Sequence, residues 1–159
     1  MHLVEQEEIT VRDLLYGLLI FSANDAAEVL AQNYPGGRES FIRAMNLKAQ
    51  ELSLENTHFK NPSGLDSDNH VTTARDLVRV SNFAMENSFF RQVVGTKERV
   101  VKSIDGINMH KLVNLNELLG EVEGVLGVKT GLTPNAHENL VTYIERDGHK
   151  IMMVLMASQ

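Results

Sequence analysis

Apolar residues first recur at helical spacing in Val11, Leu14, Leu15, Leu18 and Leu19, which predicts a helix with a wide, deeply buried apolar face. Thr10 precedes it with Asp13 three places on, so a hydroxyl can cap the first turn while an acid sits at the positive end of the helix dipole. The small polar residues Ser22-Ala23-Asn24-Asp25 compete for backbone hydrogen bonds and end it. A second helix starts at once and runs from Asp25 to about Gln32 on Ala27, Val29 and Leu30, which leaves Ser22 and Asn24 at a corner between two helices. Pro35-Gly36-Gly37 breaks the chain, and Phe41, Ile42, Met45, Ala49 and Leu52 mark a third amphipathic helix. Asn61-Pro62-Ser63-Gly64 reads as a short ordered loop, and Thr73 with Asp76 repeats the capping pattern ahead of Leu77, Val78, Val80 and Phe83.

The period then changes. Arg99 to Ile104 and Ile107 to Val113 flank Asp105-Gly106, a two-residue hairpin signal. Leu115 to Leu119 is expected to form a short helical turn. Val125, Leu126 and Val128 predict a buried strand, and Asn139 to Ile144 pairs with Lys150 to Met156 around Asp147-Gly148. In that last strand Met152, Met153 and Met156 are expected to fill core. Helices gathered upstream of antiparallel strands make the class α+β, helical over about 9–95 and mainly β over about 97–159, in one domain.

Composition narrows the chemistry. At 159 residues, 43% of them hydrophobic, the chain is long enough for one compact core. A net charge of -6 without a Lys/Arg cluster argues against a nucleic-acid partner. The absence of cysteine removes disulfides, thiolate catalysis and cysteine-bound zinc. The histidines show no metal-ligand spacing, so no metal and no cofactor are expected. The apolar run Leu14–Phe21 is too short to cross a bilayer, and the first residues carry no export signal.

The candidate chemistry lies in Lys129-Thr130-Gly131-Leu132, which a strand delivers to one edge. A lysine offers a point charge, a threonine hydroxyl can donate to a carboxylate, and a glycine lets a ligand lie close against the backbone. A solvated strand end is the other reading of the same residues. Ser22 and Asn24 have two readings as well: a plain helix corner, or a proton-relay hydroxyl beside an amide that orients a lysine or a substrate carbonyl.

Taken together, Ile9 to Leu19, Ser22-Ala23-Asn24-Asp25-Ala26-Ala27, Asn56-Thr57-His58-Phe59, Asn61-Pro62-Ser63-Gly64-Leu65-Asp66, Thr72-Thr73-Ala74-Arg75-Asp76 and Gly127-Val128-Lys129-Thr130-Gly131-Leu132-Thr133 resemble the D-alanyl-D-alanine carboxypeptidases, the low-molecular-mass penicillin-binding proteins. These carry S-x-x-K, then S-D-N, then K-T-G. The resemblance runs from about Ile9 to Ala157. It implies a partial penicillin-binding-protein/β-lactamase-like transpeptidase fold and a serine-type hydrolase that trims the terminal D-alanine of peptidoglycan stem peptides, binds β-lactams and works outside the cytoplasm. It further implies that Ser22, Asn24 and Lys129 are catalytic, that Lys129, Thr130, Gly131 and Leu132 bind substrate, and that the Leu132 N–H is an oxyanion donor.

The sequence also departs from the family. No serine here is followed three residues later by lysine, and Thr57 with Lys60 has the spacing but an unassisted, poor nucleophile. The chain is therefore expected to be an internal piece without the acylating serine, two N-terminal strands and the C-terminal helix, inactive alone and prone to self-association. His137 stands where the family has glycine and is expected to be an ordinary loop residue, with an acid-base role as the other reading. The alternatives in function are a β-lactamase or esterase of the same superfamily, and a non-catalytic wall-binding or scaffold protein.

Overall fold

A computed structural model describes residues 1–158 of the chain. Five helices, α1 (Val11–Ile20), α2 (Asn24–Gln32), α3 (Gly37–Glu51), α4 (Ala74–Met85) and α5 (Ser88–Val94), precede five strands, β1 (Glu98–Lys102), β2 (Met109–Val113), β3 (Val125–Thr133), β4 (His137–Arg146) and β5 (His149–Ser158). The strands form two antiparallel sheets, β1-β2 and β3-β4-β5, so the α+β class read from the sequence holds. Gln159, the last residue of the predicted β part, lies outside the described residues.

Both predicted caps form. The Thr10 hydroxyl accepts from the Asp13 N–H at 3.1 Å and Thr73 from the Asp76 N–H at 3.2 Å, satisfying donors that a helix start leaves free. The Asp147-Gly148 turn also forms, with φ of 51° and 76°, the doubly left-handed conformation that matches strand twist. The core divides into two clusters. Leu14, Tyr16, Ile20, Ala23, Ala26, Val93, Val101 and Leu112 build the first, from α1, α2, α5, β1 and β2. Met85, Val94, Val128 and Val141 build the second, from α4, α5, β3 and β4, and Leu19 packs against both.

Several expectations are corrected. On α1 the buried stripe is Leu14, Tyr16, Gly17 and Ile20, while Val11 is 64% exposed. Tyr16 is buried because Arg99 stacks on its ring at 4.1 Å and Phe89 meets its edge, burial that an aliphatic periodicity does not record. α5 lies within the stretch read as helical but stands as a separate helix that the pattern did not mark; it begins where the Asn87 side chain accepts from the Phe90 N–H at 3.0 Å. The β1–β2 connection is six residues long (103–108) rather than two. Asp105 and Ser103 side chains hold its Ile107 and Asn108 N–H groups, ending the ladder early. Leu115 to Leu119 makes a turn but no helix, since Asn116 Oδ1 takes the Leu118 N–H that a helix would need. Met152 does pack on the second cluster, but Met153 and Met156 are 38% and 39% exposed. β5 is an edge strand, and strand alternation turns Met153 away from the face that Met152 buries.

Gly127 sets the approach of β3 to α5. It has φ of 142°, and a Cβ built there would lie 2.8 Å from Cγ2 of Val94, so only glycine allows this contact. The Thr142 hydroxyl, fully buried, donates to the Gly127 carbonyl at 2.9 Å and fixes the same residue from the β4 side.

Candidate active site

Val125 and Val128 anchor β3 in the apolar interior, and the strand then climbs out of it: Lys129 and Thr130 are half-buried, Gly131 is exposed and Leu132 is 73% exposed. β4 pairs with one side of β3 only, which leaves the other edge free at these residues. On the facing side, α1 ends and Ser22 takes a left-handed conformation, φ 58°, while the Ala23 N–H donates to the Gly17 carbonyl at 3.0 Å. That sharp turn lifts the Ser22 hydroxyl out of the helix end.

The two meet directly. Lys129 Nζ donates to Ser22 Oγ at 2.8 Å and to the Thr130 carbonyl at 2.8 Å, across 107 residues of sequence in the first case. With no carboxylate among these partners, burial draws the Lys129 ammonium down to about 8. The group is therefore a cation with an unmet demand for an anion and a readily released proton. Because Ser22 Oγ accepts from the ammonium, its own proton is left to donate elsewhere. Asn24, the first residue of α2, is exposed, and its side chain makes no hydrogen bond among the described residues. The geometry thus joins Ser22, Lys129 and Thr130 and does not bring the Asn24 amide into their hydrogen bonding.

An apolar cleft of about 320 Å³ lies between α4 and the sheet, walled by Leu77, Val80, Ala84, Phe90 and Val128, with Lys129 and Thr130 at its rim. His137 opens β4, is exposed, and has φ of 55°. Among the described residues no three His, Asp or Glu side chains stand close enough to hold a metal.

The sequence reading gave no role to a second set of contacts that brace the site. Asn56 N–H and the Thr57 hydroxyl donate to Oδ2 of Asp76 at 3.0 and 2.9 Å, a carboxylate only 2% exposed. Thr57 is thus committed to a structural bond. Further along the same connection, Asn61 Oδ1 accepts from the Gly64 N–H at 2.7 Å and its Nδ2 donates to the Leu65 carbonyl at 2.8 Å. This folded loop presents Asp66, which accepts from the Thr133 hydroxyl at 2.7 Å and the Asn135 N–H at 3.1 Å. In the sequence this segment showed only as an ordered loop at Asn61-Pro62-Ser63-Gly64 and as one of the stretches that resemble the family.

A family model described as D-alanyl-D-alanine carboxypeptidase matches residues 1–159. The chain belongs to that family. It is 38% identical over 167 aligned residues to a D-alanyl-D-alanine carboxypeptidase of Streptomyces sp., covering 99% of this chain and 57% of the relative. It is 35% identical to another of Bacillus subtilis, covering 96% of this chain and 39% of the relative. The crystal structure of a Streptomyces DD-transpeptidase superposes with a TM-score of 0.93 at 39% identity, over 99% of this chain and 64% of that one. The fold is therefore the one its family members share, and the chain spans about half the length of these two carboxypeptidases.

Proposed function

We propose that this chain is part of a serine-type carboxypeptidase that removes the terminal D-alanine from peptidoglycan stem peptides ending in D-Ala-D-Ala, through an acyl-enzyme, outside the cytoplasm. One observation carries the reading: Lys129 Nζ lies 2.8 Å from Ser22 Oγ, which couples a cation at a free strand edge to a hydroxyl on the facing helix corner. Family membership supports the same chemistry.

In acylation an attacking serine gives up its hydroxyl proton and bonds to the carbonyl carbon of the penultimate D-alanine, the C–N bond to the terminal D-alanine breaks, and the departing amine takes up a proton, so that no net proton is gained or lost. Ser22 is placed to pass that proton, recharged by Lys129, whose pKa near 8 suits exchange at neutral pH. Thr130 and Lys129 bind the terminal carboxylate of the substrate. Gly131 leaves room for its backbone along β3, and the Leu132 N–H stabilises the developing oxyanion. Asn24 acts on the substrate side of the corner, by contact with a peptide carbonyl that only a bound ligand supplies.

The residues described furnish relay and charge; no serine among them has a lysine three places on. The 159-residue chain by itself is therefore expected to take no covalent label from a fluorescent penicillin, and stoichiometric labelling would refute this. The full-length gene product is expected to hydrolyse a D-Ala-D-Ala peptide faster than a cephalosporin. Rapid cephalosporin turnover without peptide cleavage would instead support a β-lactamase.

A further inference from the structure

We infer that Asp66 is a positioning residue for the ligand-binding edge of β3, an inference that rests on the function proposed above. The strand is tied to the rest of the fold by side chains at two points on that stretch. Lys129 is bound to Ser22 at 2.8 Å, and Thr133 to Asp66 at 2.7 Å. The two tied residues are four positions apart, about 13 Å along an extended chain, and Thr130, Gly131 and Leu132 lie between them. A ligand that pairs with this edge needs both ends of it fixed.

Asp66 does this with both carboxylate oxygens. Oδ1 accepts from the Thr133 hydroxyl, and Oδ2 accepts from the Asn135 N–H at 3.1 Å. The Thr133 oxygen in turn accepts from the Ala136 N–H at 3.1 Å, so one carboxylate closes the whole β3–β4 turn. Asp66 is itself rigidly held. Its loop is folded around Asn61 and rooted in α3, where the Asn46 amide bonds both the N–H and the carbonyl of Phe59 at 2.9 Å. A chain of hydrogen bonds thus runs from α3 through residues 59–66 to the end of β3. Asp66 is exposed, so its bonds add little to overall stability and their loss acts on the local position of the strand.

The test uses the full-length gene product, with the concentration dependence of acylation by a fluorescent penicillin separating binding from the acylation rate, and thermal melting in parallel. Asp66→Ala is expected to lower the acylation rate constant about tenfold while the melting temperature moves by no more than a few degrees. Asp66→Asn, which keeps one acceptor, is expected to fall between. Thr133→Val breaks the same tie, so the double variant with Asp66→Ala is expected to be no worse than Asp66→Ala alone. An unchanged or faster rate in Asp66→Ala, or additive losses in the double variant, overturns the positioning role. A wild-type protein that takes no label overturns the proposed function, and the positioning role with it.

Discussion

Replacing Lys129 by methionine tests how the fold bears the cost of its own site. The ammonium is drawn from 10.5 down to about 8 by burial, which corresponds to roughly 3 kcal/mol spent on keeping it charged at neutral pH. Methionine has similar length and no charge, but leaves the Ser22 hydroxyl and Thr130 carbonyl without the donor they have at 2.8 Å, an offset of about 1 kcal/mol. The variant is therefore expected to be about 2 kcal/mol more stable than the wild type at pH 7. Between about 8 and 10.5 the unfolded wild type holds more protons at this lysine than the folded form, so wild-type stability gains on the variant as pH rises, and the difference levels off above that window. Urea unfolding of both proteins from pH 6 to 11 reads the difference directly, since other titrating groups cancel. A difference that stays constant through the window would refute the burial argument. Binding of a carboxylate ligand is expected to follow the opposite course, with affinity falling as pH rises above about 8 and the cation is lost.

Three further outcomes follow from the packing. Gly127→Ala is expected to cost about 2–4 kcal/mol in chemical denaturation, because the new methyl meets buried Val94 at 2.8 Å with φ at 142°. Asp76→Ala, which strands the Asn56 N–H and the Thr57 hydroxyl, is expected to cost about 2–3 kcal/mol, and Asp76→Asn less; equal losses would show that hydrogen bonding is not the cause. Alone in solution the 159-residue chain is expected to dimerise or aggregate, because both β3 and β5 have an unpaired edge and β5 exposes Ile151, Leu155 and Met156. A monodisperse monomer by light scattering would contradict this.

Much of the molecule was legible because its signals are local. Thr10 with Asp13 and Thr73 with Asp76 announced two helix starts within four residues each, and Asp147-Gly148 specified a turn by backbone preference alone. The joining of Ser22 to Lys129 was legible only through the resemblance, since periodicity says nothing about partners 107 residues apart. α5 was legible only as part of a helical stretch, because Phe89, Phe90, Val93 and Val94 make too short an apolar set to mark a helix of their own. Asp66 escaped for another reason: its partners Thr133 and Asn135 lie 67 and 69 residues away, and neither end has unusual chemistry. The misplaced methionines reflect a property of the sheet rather than of the residues, because apolar side chains cannot report which face of an edge strand is covered.

The division of the core has a consequence for how variation in this protein sorts. Ser22 rides on the first cluster beside Ala23, Lys129 rides on the second beside Val128, and Leu19 is packed against both. A truncation deep in the first cluster and away from the cleft, such as Leu112→Ala, is expected to act mainly on the fraction of molecules that fold, whereas Val141, the register partner of Lys129, lines the cleft itself. A truncation at Leu19, which touches both clusters, is expected to loosen the Ser22–Lys129 contact in molecules that remain folded, so a packing position outside the hydrogen bonds themselves governs how closely the two halves of the site meet.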